Sequence, residues 1–438
     1  MKSLEALQED FRKRTPKSIA QWQLGKPLMP GGVMKGAHFM PPNPLYIDHA
    51  EECYLFDIDG NRYVDFANHH TAAILGHSPP AVTKALHAQV DRGIAFGAPT
   101  TLEKEIAEEL TNRLPSVEKV RYTNSGTEAS LNAARVARAV TKKPLIAKFE
   151  GAYHGSNDAV EFSTQKTSGP AEAPNTTATW DGMPEGGEKN VVILPYNDRE
   201  SVELILRQHK DRMAAVFFDG RPGWYDMPLD FARFLRKITA ELGILLVFDE
   251  VISFRSSYSG YQGLAGVQPD LTVLGKIVGG GMPVGAIGGK ASIMDILDNS
   301  GTPTGLYHSG TFAGNHFTLA AGLATLKALT PEVYAHLERL ATRLKENLRI
   351  VLTDSGIPFH LFGQGSTVRV YFSDKPVRTN RDVAQADGEM FSRLVLGLLT
   401  FGYYARDGMG FILSNPMTEE HVDGLAEAVG KVLSGMDS

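Results

Sequence analysis

The sequence predicts an α/β protein whose larger domain contains a mainly parallel sheet wrapped by helices. From about residue 100, short apolar runs alternate with amphipathic helical segments. This alternation is typical of parallel sheets, because a helix returns the chain between successive strands. The runs are apolar on both faces, as expected of strands covered by helices on each side. They are PLIAKFE, AAVFFD, ILLVFDE, LTVLGK and AIGG.

Length and composition indicate the number of domains and argue against several classes of partner and site. A chain of 438 residues favours one large domain and a smaller one. Its net charge of -6, with no basic domain, argues against a nucleic-acid partner. The single cysteine, Cys53, excludes an intramolecular disulfide and a cysteine metal cluster, and we expect no metal site. No apolar run approaches the roughly 20 residues of a membrane span, and the N-terminus lacks a signal-peptide core, so we expect a soluble, cytoplasmic protein.

Three parts are expected in chain order. Residues 1–70 form an N-terminal segment that contributes to the small domain and to the entrance of the active site. It contains a helix from Ser3 to Lys13, an irregular Gly- and Pro-rich stretch, and a hairpin turning at Asp59-Gly60. Residues 71–328 form the large domain, and residues 329–438 form a smaller α+β domain that opens with a helix.

Within the large domain, LEKEIAEELTNRL and LNAARVARAV are expected to be helices. GPAEAPNTTATWDGMPEGGEKN is expected to be a long loop. The helix that begins at Pro331 carries an apolar stripe at helical spacing. The stripe comprises Tyr334, Leu337, Leu340, Leu344 and Leu348.

Two charged residues follow neighbouring strands of the predicted sheet. Ligands of open α/β sheets bind beyond the carboxyl ends of the strands. Asp249 ends the strand ILLVFDE; it could cap a helix, join a salt bridge or pair with the protonated ring nitrogen of a cofactor. Lys276 ends LTVLGK, where a desolvated amine would be a nucleophile, although a lone strand-end lysine is more often a surface residue. The following glycines 279–281 let the backbone approach another group closely.

Small polar residues mark a third position. Ser125, Gly126 and Thr127 precede the helix LNAARVARAV and could bind a phosphate through backbone amides and hydroxyls. An ordinary N-cap, with Glu128 in the first turn, explains the same pattern. GAYHG places two glycines around an aromatic pair, as if a ring lay flat against a ligand, and HSGTF is a second hydroxyl cluster. Their histidines, His154 and His308, are by default structural.

In chain order, these features are a phosphate site, a stacking aromatic, a strand-end carboxylate and a strand-end lysine. With them the chain resembles the class-III aminotransferases of pyridoxal 5'-phosphate (PLP) fold type I. Within that family it resembles the branch containing glutamate-1-semialdehyde 2,1-aminomutase and the β-amino-acid aminotransferases. The resemblance extends from PGGV near residue 30 to the last helix. It is carried by NSGTEA, GAYHGS, LLVFDEV, LGKIVGGGMPVGAIGG and HSGTFAGN. It implies a seven-stranded type of sheet in the large domain.

The resemblance also implies roles for individual residues. In that family the lysine matching Lys276 forms the internal aldimine with PLP and later moves the proton. The aspartate matching Asp249 keeps the pyridinium nitrogen protonated, so that the ring accepts electrons. The threonine matching Thr311 comes from the partner subunit, which implies a homodimer with shared active sites. The expected cofactor contacts are Ser125, Gly126, Thr127, Tyr153, His154, Asp249, Val251, Lys276 and Thr311, with Tyr153 and Val251 on opposite ring faces.

The chain departs from the family pattern at the expected substrate pocket. The family usually has Glu-Pro where this chain has Asp219-Gly220, and Trp224, after Arg221–Gly223, stands where the aminomutase has an asparagine. Arginines of the aminomutase or the β-amino-acid enzymes are replaced by other residues, and lysine is not equivalent to arginine for binding a carboxylate. The replacements are Lys35, His38 and Met409, with Arg406 close enough to substitute.

The resulting prediction is a PLP-dependent aminotransferase with small-molecule substrates. It moves an amino group from an amine or amino-acid donor to a ketone, aldehyde or keto-acid acceptor, alternating between PLP and pyridoxamine phosphate. The alternatives are a glutamate-1-semialdehyde aminomutase, a racemase that uses the same lysine, and a non-catalytic protein with a PLP fold. A nicotinamide dehydrogenase is disfavoured, since no G-x-G-x-x-G turn joins an early strand to a helix.

Overall fold

A computed structural model describes residues 1–220, 224–225, 228–301 and 305–435. The chain divides into two compact units. The small unit comprises Met1–Pro79, Ala335–Val377 and Ala384–Ser438. The large unit comprises Pro80–Tyr334 and Arg378–Val383. Within the described residues, no helix combines the length and the apolar character needed to cross a bilayer.

The helices of the described chain occur in both units. They are α1, Leu4–Arg14; α2, Pro16–Gly25; α3, Asn68–Thr71; α4, Pro80–Arg92; α5, Thr101–Arg113; α6, Gly126–Thr141; α7, Arg199–His209; α8, Leu229–Leu242; α9, Gly260–Ala265; α10, Ala291–Met294; α11, His316–Ala328; α12, Pro331–Asp354; α13, Asn380–Val383; α14, Gly388–Thr400; and α15, Glu419–Ser434.

The strands form three sheets. They are β1, Ile47–Glu51; β2, Tyr54–Asp57; β3, Arg62–Asp65; β4, Lys119–Thr123; β5, Leu145–Phe149; β6, Val191–Leu194; β7, Met213–Asp219; β8, Leu245–Asp249; β9, Leu271–Gly275; β10, Gly285–Gly289; β11, Phe359–Gln364; β12, Thr367–Phe372; β13, Tyr403–Tyr404; and β14, Phe411–Ile412.

The large unit contains a seven-stranded sheet in the order β4-β10-β9-β8-β7-β5-β6. The neighbours from β6 to β9 pair in parallel, which confirms the predicted mainly parallel sheet. β10 is antiparallel to both β4 and β9. Only a short connection, which contains the 3₁₀ turn Lys276–Gly279, joins β9 to β10, so no α-helix is available to return the chain for parallel pairing.

Burial explains why these segments form the centre of the sheet. Every residue of β5, β9 and β10 is buried. The core around them includes Ala133, Ile146, Phe217, Val247 and Val273, so α6 and the strands share one apolar layer. The long loop 169–190 lies outside this layer. It has no α-helix or strand, and ends in a short 3₁₀ turn at Gly187–Asn190, in agreement with the expected loop.

The small unit contains a four-stranded sheet, β1-β2-β3-β13, and a three-stranded sheet, β11-β12-β14. Gly60, with φ 95°, makes the expected turn between β2 and β3. Ser3 caps α1 by accepting from the Ala6 amide at 3.2 Å, which places the first helix where the sequence predicts it. Leu7 and Phe11 of α1 are buried.

Candidate active site

The carboxyl edge of the large sheet brings three charged residues together. The register pairs Asp219 with Asp249 between β7 and β8. It pairs Asp249 with Val273 between β8 and β9. Lys276 follows the last residue of β9 directly. The two carboxylates and the amine therefore leave the same edge of the sheet from adjacent strands.

Asp249 is held by two hydrogen bonds. Its Oδ1 accepts from the Val251 amide at 3.0 Å, and its Oδ2 lies 2.8 Å from Nδ1 of His154. Since an ionised carboxylate only accepts, His154 donates from Nδ1. A carboxylate offers about four lone-pair positions, so Asp249 can accept further hydrogen bonds. It is 7% exposed, which reduces the competition of water for those positions.

His154 supports Asp249 from inside the protein. Its side chain is fully buried, and its Nε2 has no hydrogen-bond partner in the described part of the chain. The ring packs edge-to-face on Phe217, with centroids 5.6 Å apart. With Nδ1 committed to Asp249 and Nε2 in an apolar place, the ring has one function visible in the structure, which is to orient the carboxylate.

The backbone at Lys276 is left-handed, with φ 52°. For a non-glycine residue this conformation costs about 1–2 kcal/mol. Such strain persists where the surroundings determine the conformation, and it occurs most often at functional sites. The glycines that follow belong to this packing: a Cβ on Gly280 would lie 2.4 Å from the Ala321 carbonyl of α11. The close approach expected at these glycines is therefore to a helix of the same unit.

Ser125 begins α6 as its N-cap. Its Oγ accepts from the Glu128 amide at 3.1 Å, and the Glu128 carboxylate accepts from the Asn124 amide at 2.9 Å. The ordinary cap that the sequence allowed is therefore present. It leaves the amides of Gly126 and Thr127 without an intrahelical partner at a positive helix end, an arrangement suited to an anion.

Close contacts join these segments into one site. A Cβ on Gly126 would lie 3.1 Å from a Val251 methyl group, and one on Gly275 would lie 3.3 Å from the other. Gly155 has φ 92°, and its Cβ would lie 2.6 Å from Thr127 Cα. Val251 therefore lies between the start of α6 and the residue before Lys276, and these three segments border one region.

Tyr153 and Thr311 lie at the surface. Tyr153 is 53% exposed, with its hydroxyl 3.3 Å from Ser156 Oγ. Thr311 is exposed, and a Cβ on the preceding Gly310 would lie 3.3 Å from Asn124 Nδ2. The segment that carries Thr311 therefore runs beside the start of α6 in its own chain.

In the same region, burial lowers the pKa of His308, assisted by the charges of two nearby arginines.

The segment after β7 departs from the family pattern in the sequence. Asp219 is half-buried, and its carboxylate accepts a hydrogen bond from the Tyr196 hydroxyl. Trp224 is also half-buried. Arg221–Gly223, which complete this departure, lie outside the described residues.

The small unit contains a cavity of about 420 Å³. His38 and Arg406 line it, whereas Lys35 is exposed and does not. Burial lowers the pKa of His38, and the charges of Lys35, Arg406 and His69 lower it further. The Arg406 guanidinium donates to the Tyr404 hydroxyl at 3.1 Å. A cationic group and a neutral imidazole thus share a largely apolar cavity.

Sequence reasoning missed two residues of this cavity, His69 and His70. They lie in α3, where Asn68, His69, His70 and Thr71 have φ values of 53°, 46°, 52° and 77°. Asparagine and histidine tolerate this region better than most residues, but a run of four left-handed residues has no sequence signature. Nδ1 of His70 lies 3.2 Å from Sδ of Met409, which places Met409 beside the histidine pair.

Comparison with known proteins gives consistent results. The family model "Aminotransferase class-III" matches residues 36–390. A glutamate-1-semialdehyde 2,1-aminomutase 2 of Bacillus thuringiensis is 40% identical over 386 residues, covering 86% of this chain and 88% of the relative. An omega-transaminase from Sphaerobacter thermophilus is 38% identical, with a TM-score of 0.92 over 95% of this chain and 97% of its own. A transaminase with PLP bound is 35% identical, with a TM-score of 0.89 over 96% and 98% of the two chains.

Proposed function

Since the chain belongs to the class-III aminotransferase family, we propose that it is an aminotransferase that moves an amino group from an amine or amino-acid donor to a carbonyl acceptor. The family, the PLP fold type and the PLP cofactor predicted from the sequence are confirmed. The protein is a PLP-dependent enzyme, which removes the alternative of a non-catalytic protein with the same fold. The proposal rests chiefly on the placement of Lys276 and Asp249 at one edge of the sheet.

The residues at this edge fit PLP. The start of α6 offers amides and hydroxyls of Ser125 and Thr127 to a phosphate. Asp249 retains acceptor capacity for a ring N–H. Tyr153, half-exposed in the loop after β5, and Val251 offer an aromatic and an aliphatic face to a flat ring. Bound PLP supplies an electron sink for the carbon next to the substrate nitrogen.

The chain's own residues then have distinct tasks. The amine of Lys276 is the nucleophile that binds the cofactor, and its Nζ takes a proton from the substrate carbon and returns one. Asp249, held by His154 and Val251, would accept a hydrogen bond from the ring N–H and would thereby favour the protonated ring. His154 holds the Asp249 carboxylate in place from behind. All three groups sit on elements fixed by buried strands, which supports precise orientation.

An amine donor is favoured over a strict amino-acid donor. By the family resemblance, Lys35, His38 and Met409 stand where related enzymes have carboxylate-binding arginines, and neither lysine nor histidine reproduces a bidentate clamp. Arg406 lines the same cavity as His38, but its guanidinium already donates to the Tyr404 hydroxyl and the Phe39 carbonyl. The similarity to a protein named an omega-transaminase supports the same choice. A second candidate is a glutamate-1-semialdehyde aminomutase, because a protein of that name is 40% identical over most of both chains.

Product analysis distinguishes these two functions. With PLP-loaded enzyme and no acceptor, 1-phenylethylamine is expected to yield about one equivalent of acetophenone per site; adding a keto acid should then sustain turnover. Glutamate 1-semialdehyde is tested in parallel for 5-aminolevulinate. Formation of 5-aminolevulinate without any ketone from the amine would replace the proposal with the aminomutase function. Turnover only of donors that bear a carboxylate would contradict the amine preference.

We further propose that the enzyme is a homodimer in which the exposed Thr311 completes the phosphate site of the other chain. Two variants, Lys276→Ala and Thr311→Ala, are then expected to complement each other. A heterodimer of the two contains one site with both wild-type residues, so it should recover about half of the wild-type activity per dimer. Differently tagged chains are co-expressed, and the doubly purified heterodimer is assayed. Activity no higher than that of the Thr311→Ala homodimer would contradict sharing.

A further inference from the structure

A short segment interrupts the C-terminal part of the small unit. Ala335–Val377 and Ala384–Ser438 belong to the small unit, whereas Arg378–Val383 belong to the large unit. We call Arg378–Val383 the excursion. Its conformation is fixed locally, since the Asp382 carboxylate accepts from the amides of Arg378 and Thr379 at 3.0 and 2.9 Å. The Asn197 side chain also donates to the Arg378 carbonyl at 2.7 Å.

Arg381 of the excursion binds both oxygens of one carboxylate. Its Nε donates to Oε2 of Glu150 at 2.8 Å, and its Nη2 donates to Oε1 at 2.9 Å. The Glu150 side chain is 6% exposed and that of Arg381 is 26% exposed. The hydrogen bonds to Glu150 raise the pKa of Arg381, so its guanidinium keeps its charge. Two parallel bonds fix the orientation of the carboxylate as well as its distance.

Glu150 immediately precedes Gly151–Gly155, which we call the ring-binding loop. Gly151 has φ 76°, and a Cβ there would lie 2.2 Å from Cγ of Asn380, so the loop backbone lies directly against the excursion. The Arg381 guanidinium also donates to the Gly169 carbonyl at 3.0 Å. One side chain therefore fixes the beginning of the ring-binding loop and the beginning of the long loop 169–190.

The rest of the ring-binding loop is also held by hydrogen bonds, which link the position of Glu150 to that of Asp249. The amine of buried Lys148 donates to the Ala152 carbonyl at 2.7 Å, and the Ser130 hydroxyl donates to the His154 carbonyl. His154 in turn binds Asp249 at 2.8 Å. Only three residues separate Glu150 from His154. A displacement of Glu150 is therefore expected to displace His154 as well, because so short a segment cannot absorb it.

We propose that Arg381 is a positioning residue that holds Glu150 and thereby places Tyr153 and His154 for cofactor binding. This inference rests on the proposed role of the ring-binding loop. Arg381 lies 231 residues after Glu150 in the sequence, and it affects the ring-binding loop through its hydrogen bonds to the Glu150 carboxylate. Its loss should weaken cofactor binding and disturb Asp249 through His154, beyond any general loss of stability.

The test compares PLP affinity in two matched variants. Arg381→Met is expected to raise the dissociation constant of PLP roughly 10- to 100-fold, the range that corresponds to one hydrogen bond to a charged group. Arg236→Met is the control, because Arg236 binds Asp270 at 2.8 Å with side chains 23% and 7% exposed, at the start of β9 rather than at its Lys276 end. The control should lose stability but bind PLP as the wild type does. Apoprotein is titrated with PLP by quenching of tryptophan fluorescence.

Two further variants keep the test decisive. Arg381→Lys retains the charge but not the paired geometry, and should bind PLP with intermediate affinity. Glu150→Gln should resemble Arg381→Met, and the pH profile of kcat should shift in both but not in Arg236→Met. Wild-type affinity in the Arg381→Met and Glu150→Gln variants, or an equal loss in Arg236→Met, would overturn the inference. Absence of PLP binding by the wild type would instead contradict the proposed function itself.

Discussion

Replacing Lys276 with alanine is expected to reduce kcat roughly 10³- to 10⁴-fold, because the variant lacks the amine that we propose as both the nucleophile and the proton-transfer group. The phosphate and ring contacts remain, so the variant should still bind PLP, but without a covalent bond. Mass spectrometry after borohydride reduction measures this directly. The wild type should carry the cofactor on the peptide that contains Lys276, and the variant should carry none.

The left-handed backbone at Lys276 makes a second readout useful. Lys276→Gly should relieve the strain and raise the melting temperature of the apoprotein relative to Lys276→Ala, while activity stays lost in both. The buried Lys148 serves as the control for labelling, since its amine donates to the Ala152 and Phe162 carbonyls. Cofactor recovered on the Lys148 peptide, or substantial activity in Lys276→Ala, would contradict the assignment.

Replacing Asp249 with asparagine is expected to lower kcat roughly 10²- to 10³-fold, the cost of removing one preorganised charge from a catalytic site. The change keeps the shape of the side chain. His154 can change its tautomer to accept from the new amide, so folding should be nearly unaffected. The effect should therefore fall on kcat, measured with saturating PLP and donor.

Asp270→Asn provides the matched control for this prediction. Asp270 is also buried, and it precedes the same strand that Lys276 follows, at the opposite end. Its carboxylate binds Arg236 and Lys290, which together with the Leu246 amide lower its pKa against the effect of burial. Asp270→Asn should destabilise the fold and leave kcat close to wild type. Equal losses of kcat in both variants would show that Asp249 acts only through stability.

The predictable part of the fold consists of buried strands and capped helices. Runs that are apolar on both faces identified β5, β7, β8, β9 and β10, because helices cover both faces of the sheet. The strand β4 was not predicted, since its residues are largely exposed or half-exposed. The four-residue strand β6 was not predicted either, because so short a run has no periodicity. The antiparallel direction of β10 was not predicted, although the short connection between LTVLGK and AIGG, too short for a parallel crossover, favours it.

In the candidate site, too, some features were predictable from the sequence and others were not. Positions at strand ends and at a helix start identified Asp249, Lys276 and Ser125, and the family resemblance supplied their expected roles. The structure brings the segments that carry them together. Contacts over a long sequence separation had no local signal. Arg381 is 231 residues from Glu150, and nothing in the sequence around either residue indicates that the two are hydrogen-bonded. The four left-handed residues of α3 likewise become visible only in the backbone.

The most direct test of the central claim is one absorbance experiment on the wild-type protein. The protein is incubated with PLP, dialysed, and recorded before and after addition of 1-phenylethylamine without an acceptor. We predict a visible band that survives dialysis and then bleaches, with a rise at shorter wavelength, as the amine form of the cofactor accumulates. A stable band that amines and amino acids leave unchanged would contradict the assignment of aminotransferase activity, and the absence of any band would contradict the proposed cofactor site at Lys276.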